Sequence, residues 1–246
     1  MNEKHRSATL AGAGTLSGGT YERISISGAG KIEGDVVAQE IHVSGSAKCE
    51  GRVEAKEMHV SGSVVFAKDV VADELKISGS GRVEGSAQVK EFKCSGSFRA
   101  AKDLSGEYIK SSGRLHVASN LECDIFKASG GFEIGGLLSA DRVDIDLAGK
   151  SQAREIGGET ISVRRRGWRD RGILLDGLVR LFAGSGAAEL RVAQIEGDDV
   201  ALEGTVADVV RGKRVDIGEG CRIGKVEYTE SLQVDPGAEV GEKVKV

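Results

Sequence analysis

The sequence predicts an all-β parallel solenoid of short coils, and three observations carry that prediction. Ser-Gly pairs begin at Ser27, Ser44, Ser61, Ser78, Ser95, Ser112 and Ser129, each 17 positions after the last. Within each unit the apolar positions fall in pairs two apart, which is the period of a strand and not of a helix. The 246 residues include 36 glycines but one proline, Pro236, so backbone N–H donors are kept for pairing along a stack.

Counted from the serine, columns 4, 6, 10, 12, 15 and 17 stay small or apolar. Column 6 reads Ile32, Cys49, Phe66, Val83, Ala100, Val117 and Ile134, and column 10 reads Val36, Val53, Val70, Ala87, Leu104, Leu121 and Leu138. Column 15 reads Ile41, Met58, Leu75, Phe92, Ile109, Phe126 and Val143. The pairs 4/6, 10/12 and 15/17 give three short strands per 17-residue coil. A unit this small cannot bury its own apolar face, so it stacks on copies of itself in a parallel β-helix. Coils then lie about 4.8 Å apart, each column becomes a ladder, and the inward columns fill a dry triangular core. The column-2 glycine marks a corner that needs either a positive φ or the absence of a Cβ. A narrow core of medium side chains also fits the scarcity of aromatics: six Phe, three Tyr and one Trp.

In chain order, residues 11–26 read as a first copy one residue short, regular coils follow, and the unit from 146 carries about one extra residue and ends at Ile161-Ser162-Val163. The repeat region is therefore 11–163. Residues 164–187 break the rhythm and are read as an insertion projecting from the solenoid. Residues 188–246 resume it: Val215 and Ile217 recur 17 positions on as Leu232 and Val234, and Cys221 and Ile223 recur as Ala238 and Val240.

This pattern excludes several classes. A disordered linker has fewer β-branched residues and more proline, collagen needs glycine at every third position, and a helical bundle does not tolerate glycine throughout. A net charge of −4 gives no reason to expect nucleic-acid binding. No apolar run reaches the roughly 18 residues of a membrane span, and Met1–Arg6 lacks the apolar stretch of a secretory signal, so a cytoplasmic location is expected.

Chemistry-bearing residues are few. Cys49, Cys94 and Cys123 occupy inward columns and Cys221 aligns with Ala238, so all four read as buried reduced thiols acting as small hydrophobes. With no CxxC pair they suggest neither a zinc site nor a disulfide framework. Outward column 16 reads His42, His59, Lys76, Lys93, Lys110 and Lys127, beside Glu40, Glu57, Glu74, Glu91 and Tyr108 in column 14. A stacked His pair suits metal binding or acyl transfer, but one basic stripe accounts for all six residues. No catalytic, metal-ligating or cofactor-binding residue is expected. The paired stripes read as a solvated, salt-laced face, with lateral docking of another filament or protein as the functional alternative. The Ser-Gly ladder is ordinary turn chemistry.

The insertion carries Arg164, Arg165, Arg166, Arg169 and Arg171 around Trp168, and a helix over 173–182 would put Leu174, Leu178, Leu181 and Phe182 on one side. That is the composition of an interfacial amphipathic helix, although Gly177 weakens it. Docking to a membrane surface or a partner is the functional reading, and folding back on the solenoid the structural one.

Units such as Gly30-Lys31-Ile32-Glu33-Gly34-Asp35-Val36-Val37-Ala38 and Gly81-Arg82-Val83-Glu84-Gly85-Ser86-Ala87 resemble the Gly-x-apolar-x-Gly-x-apolar repeats of the bactofilins, polymer-forming bacterial cytoskeletal proteins. The resemblance covers about 11–163 and returns, less regularly, at 188–241. It implies a right-handed β-helix that polymerises end to end, without nucleotide or cofactor, into nonpolar filaments, as a homopolymer or with a paralogue. Such filaments scaffold other proteins at the cell envelope. Bactofilins typically have a shorter core, proline-rich tails and, in many members, a membrane-targeting N-terminal peptide. Here the repeat is longer and Met1–Arg6 is polar, which makes 164–182 the better candidate for peripheral membrane contact.

End-to-end assembly also follows from physics, because a solenoid ends in unpaired strand edges and an open core section. Leu16, Ile24 and Ile26 at one end and Leu232, Val234 and Val240 at the other are the expected polymer interface, with only Met1–Leu10 and Glu242–Val246 beyond them. A monomeric adaptor is the first alternative. The second is a β-helix enzyme acting on carbohydrate or transferring an acyl group; uniform 17-residue coils provide no cleft for the former, and their apolar spacing departs from the every-six pattern of the latter.

Overall fold

A computed structural model of the chain describes residues 6–165 and 188–246. Twenty strands, from Arg6–Leu10 to Glu239–Lys245, join in a single parallel sheet that winds into a solenoid of about 13 turns, with no helix among the described residues.

The column pattern is the burial pattern. In the coil 44–60, Ala47, Cys49, Val53, Ala55, Met58 and Val60 are buried, as columns 4, 6, 10, 12, 15 and 17 require. The strand Ser46–Cys49 carries the first apolar pair, while Val53–Val60 carries the second and third as one continuous strand. Glu54 points outward between the buried pair Val53 and Ala55, and then two consecutive outward residues, Lys56 and Glu57, turn the chain to the next face. The three faces of the coil therefore use two strands, because pairing with the neighbouring coils continues through this second corner.

Registers between coils advance by 17 positions over most of the first half, for example Val53↔Val70 and Met58↔Leu75. The Ser-Gly corner is tight for a steric reason. A Cβ at Gly45, Gly62, Gly79, Gly96, Gly113 or Gly130 would overlap the carbonyl oxygen of the column-2 glycine one coil earlier. None of these six has a positive φ, so lack of room for Cβ, and not backbone handedness, fixes glycine there. At Gly149 the ladder ends and the space beyond is open.

Inside, side-chain sizes are matched between coils. Gly81 in column 4 leaves room for Phe98 in the next coil, whose ring would lie 3.0 Å from a Cβ at Gly81. Phe98 packs against Phe92 at 4.8 Å between ring centroids. Five of the six phenylalanines are buried in this core, where large and small side chains alternate to keep the packing dense.

Across the segment 166–187 the strands Lys150–Arg165 and Glu189–Leu202 pair in parallel from Lys150↔Glu189 to Val163↔Leu202. Beyond it the next coil is shorter, with Leu190↔Thr205 and Leu202↔Ile217 both 15 positions apart, and the last pairing returns to 17 with Ile223↔Val240.

Candidate polymer ends and charged faces

The N-terminal end differs from the sequence expectation. Arg6–Leu10 is itself a strand, pairing Ala8↔Ile24 and Leu10↔Ile26. Ile24 and Ile26 are therefore fully buried one coil in, and among the described residues the apolar surface at this end consists of half-buried Ala8, Leu10 and Leu16. Arg6 lies over Tyr21: its guanidinium sits 4.5 Å from the ring centroid and donates a 2.6 Å hydrogen bond to the phenolic oxygen. Tyr21 in turn donates to the Ser17 carbonyl.

At the other end Leu232, Val234, Ala238 and Val240 are half-buried against the core. The final strand places Lys243 in register with fully buried Val226. The cross-section thus combines apolar side chains with an exposed cation over the Val226 column. The sequence signal was available, since Lys243 lies 17 positions after Val226, but terminal charges are easily dismissed as tail.

In coils 61–77 and 78–94 the outward stripes form charge pairs along one strand. Lys76 is bonded to Glu74, and Lys93 lies 2.5 Å from Glu91. The Lys76 ammonium holds the Glu74 carboxyl below its usual range, and Glu91 raises Lys93. Glu40 pairs with Arg23 at 2.6 Å and with His42 at 3.4 Å. Lys110 stands beside Tyr108 and has no carboxylate partner among the described residues.

A feature of the remaining corner escaped the sequence reading. Between columns 6 and 10, the side-chain oxygens of Asp35, Asp69, Asp103 and Asn120 each accept the backbone N–H of the residue 17 positions on, at 2.8 to 3.0 Å. This supplies an acceptor at a turn where the coil-to-coil ladder is interrupted. Asp at column 9 of alternate units was the available signal.

The flank of the insertion is held by the solenoid. Arg164 pairs with Asp146 at 3.4 Å, and the Arg165 backbone N–H donates to Glu203 at 2.7 Å. The Arg165 side chain lies against Gly204 and Gly220, both of positive φ, where it occupies the space a Cβ would need. Arg166, Trp168, Arg169, Arg171, Leu174, Leu178, Leu181 and Phe182 lie outside the described residues.

All four cysteines are free and buried. Burial pushes the Cys49 and Cys123 thiols up to about 12 and Cys94 to about 11, far from the depressed values of reactive thiols. A depression over Gly158, Gly197 and Gly212 is an open groove. No described helix is long and apolar enough to cross a membrane.

Comparison with known proteins bears on this architecture. The family model Bactofilin, described as polymer-forming cytoskeletal, matches residues 8–99. The uncharacterized protein YhbF of Bacillus subtilis (strain 168) is 39% identical over 112 residues, covering 45% of this chain and 42% of that protein. The uncharacterized protein YhbE of the same organism is 42% identical over 115 residues, or 46% and 45%. The match thus spans less than half the length of either relative. No solved structure matches the chain. The stacked coils of residues 8–99 are thus similar to those of the bactofilins, a family described as polymer-forming cytoskeletal.

Proposed function

We propose that the chain is a structural, non-catalytic protein of the cytoplasm that assembles end to end, without nucleotide, into filaments that position other proteins at the cell envelope. In this reading 11–163 and 188–246 form one continuous unit, interrupted by 164–187. The observation that carries it is the state of the two terminal coils. Among the described residues, Arg6–Leu10 and Glu239–Lys245 each pair on one side only, and beside these open edges Leu10, Leu16, Leu232, Val234 and Val240 are incompletely covered. Open edges and an open core section are relieved by a further coil, and a second copy supplies one. The family description supports the same reading. A membrane or partner contact through the insertion is an added element of the proposal, supported by its composition alone.

Negative-stain microscopy and sedimentation of the purified chain test the assembly. Filaments are expected without nucleotide. Val240→Lys should abolish them while leaving the circular dichroism of the coils unchanged, and Lys243→Leu, which makes a core column apolar to its end, should lower the critical concentration. A wild-type chain that remains monomeric on the order of tens of micromolar across a range of salt would overturn the proposal in favour of an adaptor.

A further inference from the structure

The outward stripe changes composition in its first two coils. In coils 61–77 and 78–94 it reads Glu-x-Lys, and each lysine neutralises the glutamate of its own strand. In coils 27–43 and 44–60 the same positions read Glu40-Ile41-His42 and Glu57-Met58-His59. With histidine in place of lysine, the cation that pairs with the glutamate of its own strand in the next two coils is missing. Glu40 recovers it from Arg23, but Glu57 is exposed and has no ion-pair partner among the described residues. Its neighbours in register are also carboxylates, Glu40 below and Glu74 above.

His59 is unsatisfied as well. Its Nε2 is shut off from solvent and has no hydrogen-bond partner. The His42 ring packs edge-on against it, with centroids 5.1 Å apart. Donor atoms of Glu57, His59 and Glu74 all lie within 4.8 Å of one another. An orphaned imidazole nitrogen next to an uncompensated carboxylate is costly as it stands, and one divalent cation would satisfy both.

We propose that Glu57, His59 and Glu74, with His42 as the nearest further donor, bind a divalent transition-metal ion of the zinc class. The mixed nitrogen and oxygen donor set suits Zn²⁺, whereas Mg²⁺ and Ca²⁺ call for oxygen alone. Binding would draw the donors, which lie within 4.8 Å of one another, to the roughly 2.0–2.2 Å bonds of zinc by turning these side chains. Lys76 occupies one Glu74 oxygen, and the other is available to the ion. Because the ligands come from successive coils, the ion would staple them along the axis. The four thiols, buried and protonated, do not compete for it.

Titration calorimetry of the full chain with ZnCl₂ at neutral pH, with Co²⁺ absorption as a spectroscopic probe, tests the site. One ion per chain is expected. His59→Lys, which restores the Glu-Lys pairing of the neighbouring coils and so should fold, and Glu57→Gln should each weaken binding by about tenfold or more. His116→Gln, on another face, should leave it unchanged. Zinc should raise the melting temperature of the wild type but not of His59→Lys. An unchanged affinity in His59→Lys, or no wild-type binding up to roughly 100 µM zinc, would overturn the site. Either result leaves the assembly reading untouched, because it is read per chain and away from the ends.

Discussion

Residues 27–147 and residues 188–246 wind the same triangular core with different surfaces. In the first region most opposite charges meet along a strand, as in Lys31–Glu33 at 2.7 Å, Arg82–Glu84 at 2.6 Å and Arg142–Asp144 at 2.9 Å, and like residues stack up the axis. In the second, most opposite charges meet across coils, as in Lys213–Asp198 at 2.7 Å, Arg211–Glu227 at 2.6 Å, and Arg214 with both Glu230 and Asp199, beside the within-strand pairs Arg191–Glu189 and Lys225–Glu227. Exposed pairs of either kind contribute little stability, so the difference lies in what each surface presents. A stripe repeating every coil offers the same contact at successive steps along the axis. A surface neutralised coil against coil offers a single fixed pattern.

The corners differ in the same way. From Ile32 to Leu138 three residues separate columns 6 and 10, and the third carries the Asp or Asn acceptor in four coils. From Ala153 onward the gap is two residues, as in Ala153 to Ile156, Val192 to Ile195 and Ile223 to Val226, and no such acceptor is present among the described residues. Inward columns are constrained by packing, whereas corners can lose a residue.

The steepest test of this contrast is at column 2. Gly79→Ala should destabilise by about 3 kcal/mol, because its Cβ would overlap the backbone of Gly62, which cannot move without shifting a coil. Gly149→Ala, at the open end of that ladder, should be neutral or stabilising by about 0.5 kcal/mol. Denaturant midpoints of the two variants decide it, and equal losses would show that the corner is not fixed by stacking. Asp69→Ala comes next: losing the 2.8 Å bond to the Ser86 N–H should cost about 1 kcal/mol. Hydrogen exchange should quicken at the Ser86 amide and leave the two-residue corners of the second region unaffected.

The smallest effect is electrostatic. Lys76 depresses the Glu74 carboxyl, and Arg191 with Arg222 depresses Glu189. A carboxyl lowered in the folded state adds stability above its unfolded pKa, near 4.5 for both, and loses it as pH falls through the lower folded value. Unfolding midpoints should therefore drop slightly below that pH. Glu189→Gln and Glu74→Gln should each flatten the drop, and high salt should reduce it in both regions.

The core columns were legible in the sequence because they are enforced by burial, and a polar residue in one is costly in every coil. The same periodicity exposed the charged stripes. The strand Arg6–Leu10 was missed because it contributes only one inward face, with no second pair to reveal a period. The shortened step from Leu190 to Thr205 was missed because two corners each shed a residue, which moves the spacing without altering the order of inward side chains. The unmet needs of Glu57 and His59 were hidden because the stripe looked uniformly basic, and only the side-chain geometry distinguishes a satisfied lysine from an orphaned imidazole.

The constant register also makes length a quantised property. Deleting or duplicating one whole coil between Ser27 and Ile145 would return every column to its place and change the rod by a single step of about 4.8 Å. About 13 turns span roughly 60 Å of axis. The proposed filament would diffract on a sharp meridional reflection from the coil spacing and on a finer series from the repeat of whole chains. Only the second would move when a coil is added, so the molecule carries its own ruler.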